Sequence, residues 1–317
     1  MPTTLITTPT FARHSALPWQ ILEENGAGPL RPCADAALPT AELLVHAAEA
    51  DALIVGMDLI TAEVLDAAPR LQVIAKHGVG VDTIDLAAAQ ARGIPVVCAP
   101  GSNSRAVAEY SFGLLLSAAR SLTASHTAVA AGGWPKLFGP ELHGKTLGIV
   151  GFGRIGRLLA GYAQAFGMRV LAHDPYVPDD DIRAHDAEPA ALDDLLARAD
   201  AVSLHTPPDP SGTPLLDSAR LAAMRPGAIL VNAARGGLVD ERALAALLCS
   251  GHLGAAALDA FATEPLPADH PLREAPRTLL TSHMAACTPE ANQAMGAMVA
   301  EDVVRVLAGE APHHQAR

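Results

Sequence analysis

A glycine-rich turn between an apolar strand and an apolar helix constrains this chain more than any other feature. The stretch GKTLGIVGFGRIGRLLA, residues 144–160, has the pattern of a strand, then Gly151-x-Gly153-x-x-Gly156, then a helix. Asp174 ends the next apolar run, RVLAHD. Glycines at this spacing let a pyrophosphate approach the helix N-terminus, and an acid about 20 residues further on can accept hydrogen bonds from ribose hydroxyls. The pattern predicts an α/β domain that binds a dinucleotide.

The acid also indicates which dinucleotide is bound. A 2′-phosphate on the ribose would lie against the negative charge of Asp174, and the following DPYVPDDD adds acids but no arginine. We therefore predict NAD as the cofactor. The alternatives are a glycine-rich turn that binds nothing and an Asp174 that only caps a loop. The predicted contacts from this unit are Gly151, Gly153, Arg154, Ile155, Gly156 and Asp174.

Short apolar runs alternate with helical patterns along the whole chain. Strand-like runs occupy 53–56, 71–75, 94–98, 147–151, 170–173, 201–204, 228–232, 253–258 and 278–281. Helical patterns occupy 40–50, 61–67, 155–166, 192–199 and 241–250, with a long stretch from 104 towards 132 and a final helix ending near 308. We expect Asp240 to cap the helix at 241–250. This alternation is typical of parallel sheets with crossover helices, and continuous apolar strands indicate sheets covered on both faces. We predict an α/β fold of two doubly wound parallel-sheet domains.

Two breaks in the pattern suggest the domain boundaries. One lies in CAPGSNS, residues 98–104, and the other in SHMAACTPE, residues 282–290. The prediction is a Rossmann NAD-binding domain, residues 101–283, inserted into a flavodoxin-like substrate domain made of residues 1–100 and 284–317.

Composition narrows the class of partner. In 317 residues, 22 Lys and Arg stand against 34 Asp and Glu, and a formal net charge of −12 repels phosphate backbones and anionic lipid. No run approaches the roughly 18 to 20 uncharged residues of a membrane helix, and the start of the chain lacks the pattern of a signal peptide. The four isolated cysteines fit neither a metal-binding spacing nor a disulfide scaffold. We expect a cytoplasmic protein without nucleic-acid, membrane or metal partners, its thiols reduced and mostly buried.

Three segments behind the glycine-rich turn carry a family resemblance. NAARGGLVDE (232–241), ALDAFATEP (257–265) and TSHMAACT (281–288) occur in that order, and KHGVGVDTID and GSNSRAVAE extend the likeness into the first third of the chain. The sequence resembles the D-isomer-specific 2-hydroxyacid dehydrogenases. The resemblance implies NAD-dependent interconversion of a 2-keto acid and a D-2-hydroxy acid, with Arg235, Glu264 and His283 as the catalytic set.

The chemistry of these three side chains suits the implied roles. The planar fork of an arginine grips a carboxylate and a carbonyl oxygen as lysine cannot, which suits Arg235. Histidine is suited to donate a proton to the carbonyl oxygen as hydride arrives, which suits His283. Glu264, bonded to the other ring nitrogen, would favour the charged imidazolium. Taken singly, Arg235 could instead be a surface ion-pair partner, Glu264 part of a turn, and His283 a structural histidine.

The resemblance implies further contacts. It assigns the loop around Val79 and Gly80, with Lys76 and Asn103, to the substrate, although that loop could be a plain turn in which Asp82 caps the next helix. Around the nicotinamide and its ribose it assigns His205, Thr206, Pro207, Ala233 and Asp259. The family forms dimer arms from the segment around Trp134, so a homodimer is expected.

The substrate itself stays open. Family members that act on phosphoglycerate carry an arginine where this chain has Gly56, which weakens that assignment, although Lys76 could still meet a distal anion and Met57 would favour an apolar tail. The candidates are hydroxypyruvate or glyoxylate, 3-phosphoglycerate, phosphonopyruvate and sulfopyruvate. A different class of function, an NAD-sensing corepressor with a dehydrogenase-like fold, would retain much of the same site.

Overall fold

The computed structural model describes residues 1–30, 38–209 and 211–316. The chain forms two compact units: Met1–Asn103 with Ala286–Arg317, and Ser104–Ala285. We refer to them as the first and the second unit. The sequence predicted domain boundaries at 100/101 and 283/284, and the structure divides the chain at 103/104 and 285/286.

The first unit contains a five-stranded parallel sheet. Its strands are β1 (Thr4–Ile6), β2 (Pro29–Leu30), β3 (Ala52–Val55), β4 (Val73–Lys76) and β5 (Val96–Val97). They are ordered β2-β1-β3-β4-β5, and every pair between them is parallel. This is the order of flavodoxin-like doubly wound sheets, so the predicted fold of this unit is confirmed.

Within the described part of this unit, five helices lie around the sheet. They are α1 (Leu17–Glu24), α2 (Thr40–Ala47), α3 (Ala62–Asp66), α4 (Leu86–Ala91) and, from the end of the chain, α12 (Pro289–Leu307). Asp85 caps α4 by accepting the Ala88 N–H at 2.8 Å, so the alternative that gave this role to Asp82 is wrong. Thr288 caps α12 in the same way, with Pro289 in its first turn.

The second unit contains a seven-stranded parallel sheet. Its strands are β6 (Thr146–Val150), β7 (Arg169–His173), β8 (Glu188–Pro189), β9 (Ala201–Leu204), β10 (Ile229–Asn232), β11 (Ala255–Leu258) and β12 (Thr278–Leu280). They are ordered β12-β11-β10-β9-β6-β7-β8, so the chain changes direction across the sheet between β6 and β9. Doubly wound sheets bind ligands beyond the carboxyl ends of their strands at such a point.

The helices of the second unit flank its sheet. They are α5 (Ser104–Arg120), α6 (Leu122–Ala130), α7 (Arg154–Ala165), α8 (Asp179–Arg183), α9 (Leu192–Arg198), α10 (Ser218–Ala223) and α11 (Glu241–Cys249). The long helix predicted from 104 towards 132 is in fact two, because Ser121 adopts a left-handed backbone with φ of 51°. Ala234 and the residues after it lead into α11, which Asp240 caps at the Ala243 N–H, as predicted.

The core of the second unit shows why its strands are continuously apolar. Leu230 of β10 packs into one hydrophobic cluster, whereas its neighbours Ile229 and Val231 pack into another. Leu147 and Val150 of β6 divide between the clusters in the same way. Alternate residues of a strand point to opposite faces, so both faces of the sheet are covered, as the sequence predicted.

Two expectations from composition can be compared with the structure. In the described residues, no helix combines the length and apolar character needed to cross a bilayer. The prediction of mostly buried thiols is wrong for the described cysteines: Cys249 and Cys287 are exposed and Cys98 is half-buried. Cys33 lies outside the described residues.

Candidate active site

The segment that carries Arg235 is a closed turn at the end of β10. The Asn232 side chain accepts the Ala234 N–H at 3.1 Å and donates to the Arg235 carbonyl at 2.7 Å. The guanidinium Nη1 in turn donates to the Ala234 carbonyl at 2.8 Å. A buried asparagine therefore fixes the backbone on both sides of the arginine, whose own side chain is half-buried.

Gly236 brings a second loop against this turn. A Cβ at Gly236 would overlap the Phe261 carbonyl group and the Ala262 nitrogen. Only glycine permits this approach, because the obstacle is backbone rather than a movable side chain. The turn with Arg235 and the loop with Glu264 are thus packed directly together.

The Glu264 and His283 side chains are within hydrogen-bonding distance of each other. His283 Nδ1 lies 2.8 Å from Glu264 Oε2 and 3.0 Å from Oε1, and the Phe261 N–H donates to Oε1 at 2.9 Å. The His283 side chain is 36% exposed and the Glu264 side chain is 26% exposed. Because Nδ1 is occupied by the carboxylate, Nε2 is the ring nitrogen left to face a ligand.

Asp259 holds the loop on which His283 lies. His283 has a left-handed backbone, with φ of 53°, which is strained for a residue other than glycine. Asp259, only 1% exposed, accepts the Thr281 hydroxyl at 2.6 Å, the Met284 N–H at 2.9 Å and the Ala285 N–H at 2.8 Å. Sequence reasoning assigned Asp259 to the nicotinamide and missed this contact with the histidine loop.

The glycine-rich turn fits a dinucleotide. A Cβ at Gly151, which has φ of 93°, would overlap the His205 carbonyl, and one at Gly156 would overlap the Gly151 carbonyl. A Cβ at Gly153, by contrast, would meet nothing within 4 Å, and no side chain among the described residues caps α7. Open space in front of an uncapped helix N-terminus is what a pyrophosphate requires. Arg154 and Ile155 form the first turn of that helix.

Asp174 stands beside this turn at the end of β7. Its Oδ2 accepts the Phe152 N–H at 2.8 Å, and its Oδ1 accepts the Tyr176 N–H at 2.9 Å. A cavity of about 390 Å³ opens beside it, lined also by Pro175 and Val177. A carboxylate fixed in this way has lone pairs left for ribose hydroxyls.

The remaining predicted cofactor residues follow neighbouring strands. His205, Thr206 and Pro207 come directly after β9, and Ala233 comes directly after β10. His205 Nε2 bonds Ser203 Oγ at 2.8 Å, but its Nδ1 is buried with no partner among the described residues. Burial lowers the pKa of His205 to about 4, so this ring is neutral near pH 7.

The predicted substrate residues other than Arg235 and His283 lie in the first unit. Val79, 39% exposed, and half-buried Gly80 follow β4, and Asn103 ends the unit's first segment. The Gly78 carbonyl of the same loop accepts the Ala99 N–H at 2.8 Å. Lys76 is 6% exposed, which makes it the most buried of the set.

The Lys76 side chain is hydrogen-bonded to the backbone of Gly56. The Lys76 ammonium donates to the Gly56 carbonyl and, at 3.3 Å, to the Thr83 hydroxyl. A Cβ at Gly56 would lie 2.8 Å from Thr8 Oγ1 and 2.9 Å from Thr8 Cβ. A larger residue at position 56 would therefore require Thr8 to move.

The sequence of this chain is similar to those of known proteins. The family model of the D-isomer specific 2-hydroxyacid dehydrogenases, NAD binding domain, matches residues 112–285. The chain is 48% identical over 272 residues to a D-3-phosphoglycerate dehydrogenase of Mycobacterium tuberculosis, covering 85% of this chain but 51% of that protein. It therefore spans about half the length of that relative.

Two other similar proteins match over most of both chains. An (S)-sulfolactate dehydrogenase of Chromohalobacter salexigens is 44% identical over 271 residues, covering 84% of this chain and 88% of that protein. The crystal structure of the TT0316 protein from Thermus thermophilus superimposes with a TM-score of 0.89 at 38% identity, covering 99% of this chain and all of that one. The chain belongs to the D-isomer-specific 2-hydroxyacid dehydrogenase family, and its second unit is the family's NAD-binding domain.

Proposed function

We propose that this protein is an NAD-dependent oxidoreductase that interconverts a 2-keto acid and a D-2-hydroxy acid. The observation that carries the proposal is the His283–Glu264 pair, with Nδ1 to Oε2 at 2.8 Å, in a loop packed against the turn of Arg235. A proton donor and an anion-binding fork in one unit with a dinucleotide turn are the groups that this reaction needs.

In the reducing direction, NADH held at the glycine-rich turn and Asp174 would supply the hydride for the carbonyl carbon. His283 Nε2 donates a proton to the carbonyl oxygen, while the Glu264 carboxylate keeps Nδ1 protonated and the ring oriented. The Arg235 guanidinium binds the substrate carboxylate and the carbonyl oxygen. In the oxidising direction neutral His283 accepts the hydroxyl proton.

We assign the remaining predicted residues accordingly. The backbone N–H groups of the 78–80 loop bind the substrate carboxylate, which suits glycines that let an anion approach the chain. Lys76 and Asn103 complete the substrate contacts, and the residues after β9 and β10 hold the nicotinamide end of the cofactor. Sulfopyruvate and 3-phosphohydroxypyruvate lead the substrate candidates, because two relatives are named for the corresponding hydroxy acids.

A keto-acid panel tests the proposal. Purified protein is assayed with NADH and with NADPH against glyoxylate, hydroxypyruvate, pyruvate, 3-phosphohydroxypyruvate, phosphonopyruvate and sulfopyruvate. We expect NADH oxidation with at least one acid and slower oxidation of NADPH, since Asp174 repels a 2′-phosphate. Absence of turnover with every acid and either cofactor would contradict the proposal.

We also propose that the protein is a homodimer. Helix α6 has no buried residue in the described chain, and after it Trp134 is 77% and Phe138 95% exposed. Exposed apolar surface on this scale is typical of an interface. Light scattering after size exclusion should give about twice the chain mass, and a monomer at micromolar concentration would contradict this.

A further inference from the structure

A hydrogen-bonded pair, Glu241 and His270, lies next to the Glu264 loop, and the reaction as proposed does not use it. Glu241 opens helix α11 and His270 opens the short 3₁₀ turn Pro271–Arg273. The Glu241 side chain is 8% exposed and the His270 side chain is 13% exposed. His270 Nε2 lies 3.1 Å from Glu241 Oε2. A buried carboxylate is unfavourable unless hydrogen bonds satisfy its oxygens, so the place of Glu241 next to a candidate site calls for a reason.

Each polar atom of this pair has a partner. Glu241 Oε1 accepts the Ala262 N–H at 2.7 Å, while Oε2 faces His270. The Leu272 N–H donates to His270 Nδ1 at 3.4 Å, which places the ring proton on Nε2, pointing at the carboxylate. His270 therefore holds one oxygen of Glu241 and leaves the other to hold Ala262.

Ala262 belongs to the segment that presents Glu264. One residue before it, the Phe261 N–H binds Glu264 Oε1 at 2.9 Å. Gly236 lies against the next peptide group, Phe261–Ala262, whose N–H is the one that Glu241 accepts. The segment is thus held both by the Arg235 turn and by Glu241. A shift of Ala262 would move the peptide N–H that orients Glu264 towards His283.

We propose that Glu241 is a positioning residue for Glu264, acting through the Ala262 N–H, and that His270 fixes the Glu241 carboxylate for this task. The inference rests on the proposed function for its kinetic consequences only. Glu241 and His270 touch neither substrate nor cofactor in this account.

The surroundings of Glu241 act on its carboxyl group in opposite directions. Burial is the main cause that raises the pKa of Glu241, and the nearby Glu264 charge raises it further, whereas the Ala262 N–H and His270 lower it. A carboxylate forms shorter and stronger hydrogen bonds, which hold a peptide group more rigidly.

Three variants test the inference. Glu241→Ala removes the acceptor for Ala262, whereas Glu241→Gln retains one and serves as the conservative rescue. Asp200→Asn is the matched control, because Asp200 also accepts a backbone N–H, from Thr146 at 2.9 Å, and pairs with Arg225, but at the opposite end of the sheet. Each variant is purified as the full chain, and its melting temperature is measured.

The first readout is the division between kcat and KM. We expect Glu241→Ala to lower kcat about 10- to 100-fold with KM for NADH within about twofold, because a small misplacement of a reacting group is costly. Glu241→Gln should stay within about fivefold of the parent. If Glu241→Ala has the same kcat as Asp200→Asn at a comparable melting temperature, the inference is wrong.

The second readout does not depend on turnover. The His283 ring signal, identified by its loss in His283→Gln, is followed by NMR as the pH changes. In Glu241→Ala we expect its titration curve to shift from that of the parent towards that of Glu264→Gln. Coincidence with the parent would overturn the inference, even if no keto acid in the panel proved to be a substrate. If the panel fails while the curve shifts, the proposed function fails and the positioning stands.

Discussion

Two groups of polar residues at the carboxyl ends of strands differ in how they use their hydrogen-bonding atoms. In the first unit, Lys76 is 6% and Asp58 7% exposed, and both bond to Gly56: the ammonium to its carbonyl, the carboxylate to its N–H at 3.0 Å. In the second unit, the His283 side chain is 36% exposed and the Glu264 side chain is 26% exposed. The charged atoms of the first group bond mainly to their own loops, whereas the second group is held by its surroundings and leaves His283 Nε2 for a ligand.

This difference suggests a division of roles. The second group is anchored by residues outside it, such as Asp259, Asn232 and Gly236, so that its reactive atoms can remain unburied. Changes in the second unit should therefore alter the chemical step, and changes in the first should alter substrate preference or stability.

Arg235→Lys should have the largest effect. It keeps the charge but loses the fork that binds the carboxylate and the carbonyl oxygen together, so we expect kcat/KM to fall about 100-fold, or about 2.7 kcal/mol. Steady-state kinetics with the best keto acid of the panel measures this. Arg225→Lys, which replaces an arginine paired with Asp200, is the control and should stay near the parent. An unchanged kcat/KM would remove Arg235 from the site.

Asp259→Asn should have the next largest effect. An amide has one acceptor oxygen, so its NH₂ group would face the Ala285 N–H or the Thr281 and Met284 donors. An unsatisfied buried donor costs about 1–3 kcal/mol, and we expect the freed His283 loop to lower kcat about 30-fold. Comparison with Asp200→Asn separates this effect from general destabilisation. A kcat equal to that of the control would show that the loop does not depend on Asp259.

Lys76→Met tests the first unit. If Lys76 meets a distal anion, KM for sulfopyruvate or 3-phosphohydroxypyruvate should rise about fivefold, while KM for pyruvate stays within about twofold. Lys145→Met, at an exposed position, is the matched control. Equal changes for all three acids would mean that the ammonium serves only its bonds to Gly56 and Thr83.

His77→Gln should have the smallest effect, confined to stability. His77 is 8% exposed, its Nε2 has no partner among the described residues, and burial lowers its pKa to about 4. Between about pH 6.5 and pH 4 the unfolded chain therefore binds a proton that the folded chain does not, and stability falls as the pH is lowered. From pH 7 to pH 5 the parent should lose about 2 kcal/mol more unfolding free energy than His77→Gln, measured by denaturant titration. The exposed His126→Gln is the control, and identical losses in all three proteins would contradict the prediction.

The sequence predicted those parts of the molecule that rest on local pattern. The glycine-rich turn, β10 with Arg235 and the Asp240 cap all lie within short stretches whose spacing has a direct structural meaning. The break at Ser121 lies in SLTAS, which contains neither glycine nor proline, so nothing marked it. Strand β1 has only three residues in a threonine-rich stretch, too few to show a period.

Long-range contacts explain what the sequence missed in the site. Asp259 meets Ala285 across 26 positions, and Glu241 meets Ala262 across 21. No spacing rule links such residues, because the strands and turns between them decide which loops meet at the sheet edge. The sequence identified the charged residues of the site but not their hydrogen-bonding partners.

The most direct test of the central claim is the pH dependence of kcat/KM for keto-acid reduction in the parent and in Glu264→Gln. Reduction requires the protonated His283 ring, so the rate falls as the pH rises. Removing the adjacent carboxylate charge disfavours the imidazolium, so the pH at which the rate is half-maximal should be lower in Glu264→Gln than in the parent, with KM for NADH unchanged. Profiles that coincide would show that the pair at 2.8 Å does not control the proton transfer.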